Sequence, residues 1–338
     1  MAACYQVSKT WGNFLHSVDS ISMALAKRRG ESGAARVAML EFTTNHFRNL
    51  TSIEIVFQNR LGAKEASCTG TRLAIRDLLT KNYQELRNFH FEGRYNVLDF
   101  ALEPLGQATN LISLTLDRYR IVCLDELMSL LDSKSNLRSF TCKHLKFRAF
   151  DVMRTLDDLY NSFIHVRIGS MHSLRELTPL LDDIHFPENA MDWSILFSKL
   201  KKLERLEIDY LDNAGAITLA QRCPGLRFLD LDLCYNISMS CVLEVLTKCP
   251  IQTLKISSVE WVSDTDQHDC GSLHIREICE TSDTLINLTV SSYFGKAADM
   301  DYDESAESIS NRQREVFMKE AAFDSSGGRV KITFGNGN

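Results

Sequence analysis

Apolar residues recur along this chain in a short phrase, with two intervening positions in the first gap and one in the second. Leu226, Leu229 and Leu231 are spaced this way, and Ile251, Leu254 and Ile256 repeat the spacing 25 residues later. Between them Val242, Leu243, Val245 and Leu246 recur at helical intervals, so the predicted order is strand, helix, strand. Each copy follows a Cys-Pro pair, Cys223-Pro224 and Cys249-Pro250. Proline cannot continue a helix, so it marks where the helix stops and the chain turns into the strand. The phrase also fits Leu50-Ile53-Ile55, Leu86-Phe89-Phe91, Leu111-Leu114-Leu116, Leu137-Phe140-Cys142, Phe163-Val166-Ile168, Leu203-Leu206-Ile208 and Leu285-Leu288-Val290, with a degenerate closing strand at Ile332 and Phe334. First positions lie 23 to 26 residues apart, interrupted by steps of 36, 40 and 34. Helical patterns fall between the strands at Leu73–Leu79, Leu124–Leu131, Phe150–Phe163 and Ile195–Leu203.

A period in the twenties with this spacing is the signature of leucine-rich repeats, whose units cannot bury their apolar face alone and must stack on neighbours. The expected fold class is α/β: a leucine-rich-repeat solenoid, a ribonuclease-inhibitor-like horseshoe with a curved parallel sheet and outer helices, preceded by a short helical N-terminal segment. That segment, residues 1–30, carries Cys4, Val7, Trp11, Phe14, Leu15 and Val18 on one apolar stripe. Residues 31–338 form the repeat domain, with insertions near 170–198, 257–270 and 291–328. The first is long enough for an additional helix or a poorly matching repeat, the second is a loop carrying Trp261, and the third holds the acidic run Asp299–Ser305 and a helix-like Ile309–Ala322. Ser17–Gly33 reads as a linker or surface loop, and its Lys27, Arg28 and Arg29 as a solvated turn, a localisation signal or a phosphate site.

The run Cys4-Tyr5-Gln6-Val7-Ser8-Lys9-Thr10-Trp11 resembles the closing part of an F-box, and the Cys-Pro pairs with Cys234-x-x-Ile237 resemble the cysteine-containing repeats of the F-box/LRR family. The resemblance implies a substrate-recognition subunit of an SCF-type cullin ubiquitin ligase, holding a target protein on the repeat concavity for ubiquitination and performing no bond chemistry itself. Its implied partners are a Skp-type adaptor, bound through the helix carrying Val7 and Trp11, and a cullin. The family's leading Leu-Pro element and first helix have no counterpart before Met1, so an N-terminally incomplete F-box is expected. The alternative is a non-catalytic protein-binding scaffold without ligase coupling.

Strand side chains alternate, so the residues between the buried leucines point to the concave face. The middle strands place Arg205, Glu207 and Asp209, then Phe228, Asp230 and Asp232, then Lys255 there, and an earlier strand adds Arg167. Glu207, Asp209, Asp230 and Asp232 gather like charge on adjacent strands, which a cationic partner or solvent relieves. One reading is a docking site for a basic segment with Phe228 as its aromatic anchor. The other is a solvated acidic face partly neutralised by Arg205 and Arg227.

Composition narrows the classes. With 44% hydrophobic and 24% charged residues, the 338-residue chain has enough apolar side chains for a large core. A net charge of −6 argues against nucleic acid as the partner. No run of about 18 apolar residues and no signal-like N-terminus point to a membrane, so the expected location is inside the cell, in the cytoplasm, the nucleus or both. Ten cysteines without a secretory signal read as small buried hydrophobes. No phosphate-binding, nucleophile-elbow or zinc-protease motif occurs, so the chain is expected not to be an enzyme and to need no cofactor. The nearest approach to a metal set, His268, Asp269, Cys270, His274 and Cys279, has no familiar ligand spacing, and no metal is expected.

Overall fold

The computed structural model describes residues 18–25, 33–57, 69–93, 102–121, 124–143, 146–147, 168–180, 193–208, 211–231, 234, 237–256, 270–291, 316 and 318–335. The chain forms two compact units, Met1–Leu174 with Leu180–His185, and Arg175–Pro179 with Phe186–Asn338.

In the first unit, β1 (Ser20–Leu25), α1 (Gly33–His46), β2 (Ser52–Phe57), α2 (Thr69–Asn82), β3 (Asn88–Glu92), α3 (Glu103–Gln107), β4 (Ser113–Asp117), β5 (Arg120–Ile121), α4 (Leu124–Asp132), β6 (Ser139–Lys143) and β7 (Lys146–Phe147) follow in turn. Strands pair in the order β1-β2-β3-β4-β6, every pair parallel, and β5 and β7 form a separate parallel ribbon. The second unit runs β8 (Glu176–Leu180), α5 (Trp193–Phe197), β9 (Arg205–Glu207), α6 (Asn213–Arg222), β10 (Phe228–Leu231), α7 (Met239–Lys248), β11 (Thr253–Ile256), α8 (Cys270–Thr281), β12 (Asn287–Ser291), a helical stretch over 318–326 and β13 (Lys331–Gly335). Its strands pair in sequence order, again parallel. Helical crossovers make this geometry possible, because parallel neighbours cannot be joined by a tight hairpin. Each unit is thus an α/β leucine-rich-repeat solenoid.

The first apolar position of the phrase closes the core at these matches: Leu50, Leu86, Leu111, Leu137, Leu203, Leu226, Ile251 and Leu285 are 0% exposed. Burying each such side chain contributes roughly 1.5–3 kcal/mol. The next residue's carbonyl ties the repeats together by accepting two consecutive N–H groups. Arg87 O takes Ile112 N at 2.7 Å and Ser113 N at 3.0 Å, and Arg227 O takes Gln252 N and Thr253 N at the same two distances.

A second tie lies at the helix ends. Cys223 Sγ donates to Leu200 O at 3.5 Å, and Cys249 Sγ donates to Cys223 O at 3.4 Å. Lys134 stands at the corresponding place in the first unit, its Nζ donating to Ala108 O at 2.7 Å and Gly106 O at 2.9 Å. Cys234 makes a further link, donating to Ile208 O at 3.4 Å while its sulfur accepts Leu211 N at 3.2 Å. Cys142, Cys223, Cys234, Cys241, Cys249 and Cys279 are buried and take part in no disulfide among the described residues. Burial pushes the Cys223 thiol up to about 12 and that of Cys249 up to about 11, so neither is a thiolate near neutrality.

Three expectations need correction. Ile168 lies not in a strand but in the 3₁₀ turn Ile168–Ser170, and the strand of that region is β8, preceded by buried Leu174 and containing buried Leu177. Pro179 occupies the phrase's last apolar position there and obscures it. Ser17–Gly33, expected as linker or loop, contains β1, which pairs in register with β2 and buries Met23 and Leu25. The helix expected over Ile195–Leu203 is instead Trp193–Phe197, and Leu200 and Leu203 belong to the buried turn leading into β9. The expected helices at Leu73–Leu79 and Leu124–Leu131 lie within α2 and α4, while that at Phe150–Phe163 falls outside the described residues. No helix among the described residues is long and apolar enough to cross a membrane.

Candidate functional site

Parallel pairing without slippage turns a sequence list into rows of neighbours. Phe228 stands beside Arg205 on β9 and Thr253 on β11, with Asn287 of β12 next in line. One step along the strands, Asp230 stands between Glu207 and Lys255, followed by Thr289. In β10 and β11 these side chains are half-buried and alternate with core residues.

The two carboxylates in the second row do not face each other bare. Arg205 Nη2 donates to Glu207 Oε1 in an ion pair, and Lys255 Nζ donates to Asp230 Oδ2 at 2.9 Å. Both cations also lie against Phe228: the guanidinium carbon of Arg205 is 3.5 Å from the ring centroid, and Lys255 Nζ is 5.3 Å from it. A cation over an aromatic face is worth about 0.5–1 kcal/mol at an exposed site. The ring is therefore the centre of an Arg-Phe-Lys cluster whose positive charge is balanced by Glu207 and Asp230.

Among the residues expected at the site, Arg205, Glu207, Phe228, Asp230 and Lys255 come together. Asp209, Asp232, Arg167, Val7 and Trp11 lie outside the described residues. Arg227, expected to share in neutralising the acidic face, is exposed and makes no ion pair among the described residues; Lys255 takes that role for Asp230. The repeat period held the signal, since residues 230 and 255 are one 25-residue step apart and fall opposite each other. Sequence reasoning missed the ion pair of Arg175 with Glu204 at 2.8 Å, on the lead-in to β8 and β9. Leu174 and Leu177, spaced as the first two positions of the phrase, were the available sign.

In the first unit the outward row Glu54, His90, Thr115 and Thr141 follows the register of β2, β3, β4 and β6, and Glu92, Asp117 and Lys143 form the row beyond. These side chains are half-buried. Of the residues once considered for a metal, His274 lies 3.6 Å from Glu277 on the same helix and Cys279 is in the core, while His268 and Asp269 lie outside the described residues.

No family model matches this chain, and no curated protein does. Solved structures do. A chain in the crystal structure of the Rad7 and Elc1 complex in yeast aligns over 75% of this chain with a TM-score of 0.50 and 14% identity. The alignment spans 66% of that chain, just under two thirds of its length. A leucine-rich repeat-containing protein, LegL7 from Legionella pneumophila, aligns over 94% of this chain and 90% of its own length, with a TM-score of 0.42 and 11% identity. The first likeness is one of fold and agrees with the repeated strand and helix seen in both units: by fold, the chain is a leucine-rich-repeat protein.

Proposed function

We propose that this protein binds a partner protein on the outward face of its repeat sheet, and that it does so as the substrate-recognition subunit of an SCF-type cullin ubiquitin ligase. The observation that carries the first half is the side-by-side stacking of outward residues on consecutive parallel strands, which assembles Arg205, Phe228 and Lys255 into one half-buried cluster. Aromatic and arginine side chains are favoured at interface hot spots. The Rad7 and Elc1 neighbour supports the reading as a similar fold found in complex with another protein. The ligase half rests on the F-box-like Cys4–Trp11 and on the cysteine-type repeats, whose thiols tie consecutive repeats together. Such a subunit positions its target and contributes no catalytic group, and it acts in the cytoplasm or nucleus.

The test uses the full chain and its Trp11→Ala variant with purified Skp-type adaptor and cullin. Adaptor retained by the wild type and lost by the variant is the expected result. Folded protein that retains no adaptor in either form would leave the scaffold alternative. A photo-crosslinker at Phe228, with and without a bound client, then tests the face separately from the ligase.

A further inference from the structure

Four carboxylates suggested a face for a basic segment, yet the two described here are largely hidden. The side chains of Glu207 and Asp230 are each 13% exposed, whereas those of their counter-ions Arg205 and Lys255 are 39% and 42% exposed. Among the described residues, this patch therefore turns positive charge to solvent and keeps its negative charge beneath. A guanidinium has five N–H donors and an ammonium three. Arg205 spends one on Glu207 Oε1 and Lys255 one on Asp230 Oδ2, so both retain donors with no partner among the described residues. Each cation is also held against the Phe228 ring, which reduces the freedom either would lose on binding. An incoming lysine would meet the two cations first and reach the carboxylates only by displacing them. An incoming carboxylate meets donors already oriented.

Resting on the reading of this face as a protein-binding surface, we propose that Arg205 and Lys255, braced on Phe228, form a seat for a carboxylate side chain, and that the occupant is an acidic segment of the partner protein. The molecule as a whole carries a net charge of −6, which opposes an acidic ligand, so capture of one must come from local complementarity.

The experiment is a fluorescence-anisotropy titration of the full chain with labelled oligoglutamate and, separately, oligolysine at low ionic strength. Oligoglutamate is expected to bind, and Arg205→Glu and Lys255→Met are each expected to weaken it by about tenfold or more. Arg138→Glu, an exposed arginine of the first unit, is expected to leave it unchanged. Circular dichroism establishes that each variant is folded, and Lys255→Met keeps the test decisive should Arg205→Glu disturb Glu207. Preferential oligolysine binding overturns the sign of the seat while leaving a protein-binding face intact. Oligoglutamate binding that survives both substitutions, or no binding of either peptide, overturns the seat itself. Crosslinking at Phe228 judges the protein-binding reading independently.

Discussion

Lys134 stands where the later repeats carry Cys223 and Cys249, and it performs the same task with a charged group. It is 2% exposed, and its ammonium donates to the carbonyls of Gly106 and Ala108. Burial lowers its pKa from the ordinary 10.5 to about 8. Unfolded, the residue holds its proton up to about pH 10.5; folded, it holds it only to about pH 8. Between these values the unfolded chain binds more protons, so this residue makes the fold more stable as pH rises through the window and contributes no pH dependence below it. Lys134→Met removes that term. In urea unfolding the wild type should gain on the variant between about pH 8 and about pH 10.5; parallel stability curves would mean the ammonium is solvated in the native state. The period placed a polar residue at this repeat position but carried no sign that it would be buried, because its acceptors are backbone atoms of the preceding repeat.

Among the elements, α6 shows how closely repeats pack. Asp212 caps its N-terminus, Oδ1 accepting the N–H of Gly215 at 2.6 Å. A β-carbon at Gly215 would lie 2.6 Å from Leu211 Cδ1 and 2.8 Å from Trp193 Cε2. Trp193 stacks on Phe197 with ring centroids 5.9 Å apart and is 3% exposed, so the indole has little room to retreat. Replacing glycine by alanine inside a helix ordinarily stabilises it by roughly 1 kcal/mol, but overpacking costs about 1–3 kcal/mol. Gly215→Ala is therefore expected to destabilise the protein in chemical denaturation. A more stable variant would show that α5 and α6 can slide apart. The same scale explains why β1 and β8 were missed in the sequence. The spacing Val18-x-x-Ile21-x-Met23 does fit the phrase, but Val18 also fits a helical stripe, and only pairing with β2 decides between them. In β8 the phrase survives as Leu174 and Leu177 and then meets Pro179, which breaks the pattern without removing the strand.

For the whole molecule, stability in a repeat array is close to a sum over repeats and their immediate neighbours. Leu254 is 0% exposed in β11, between β10 and β12. Leu254→Ala should cost about 2–5 kcal/mol, and hydrogen exchange should quicken in β10, β11 and β12 well before β2, β3 and β4. Equal loss of protection throughout would mean that the chain unfolds as one block.

The amino-acid sequence by itself determined the repeat: its period, its parallel α/β class and which residues enter the core, because a phrase of buried positions recurring every 25 or so residues has only stacking as a way to leave water. It also determined which residues point outward, since strand side chains alternate. Only the tertiary structure decided what those outward residues do to one another. Charge on a sheet face depends on which carboxylate lies beside which cation across the register and on which of the two is covered, and both depend on neighbouring strands that are distant in the chain. Glu207 and Asp230 read as an acidic surface one residue at a time; beside Arg205, Phe228 and Lys255 they become the covered half of two ion pairs.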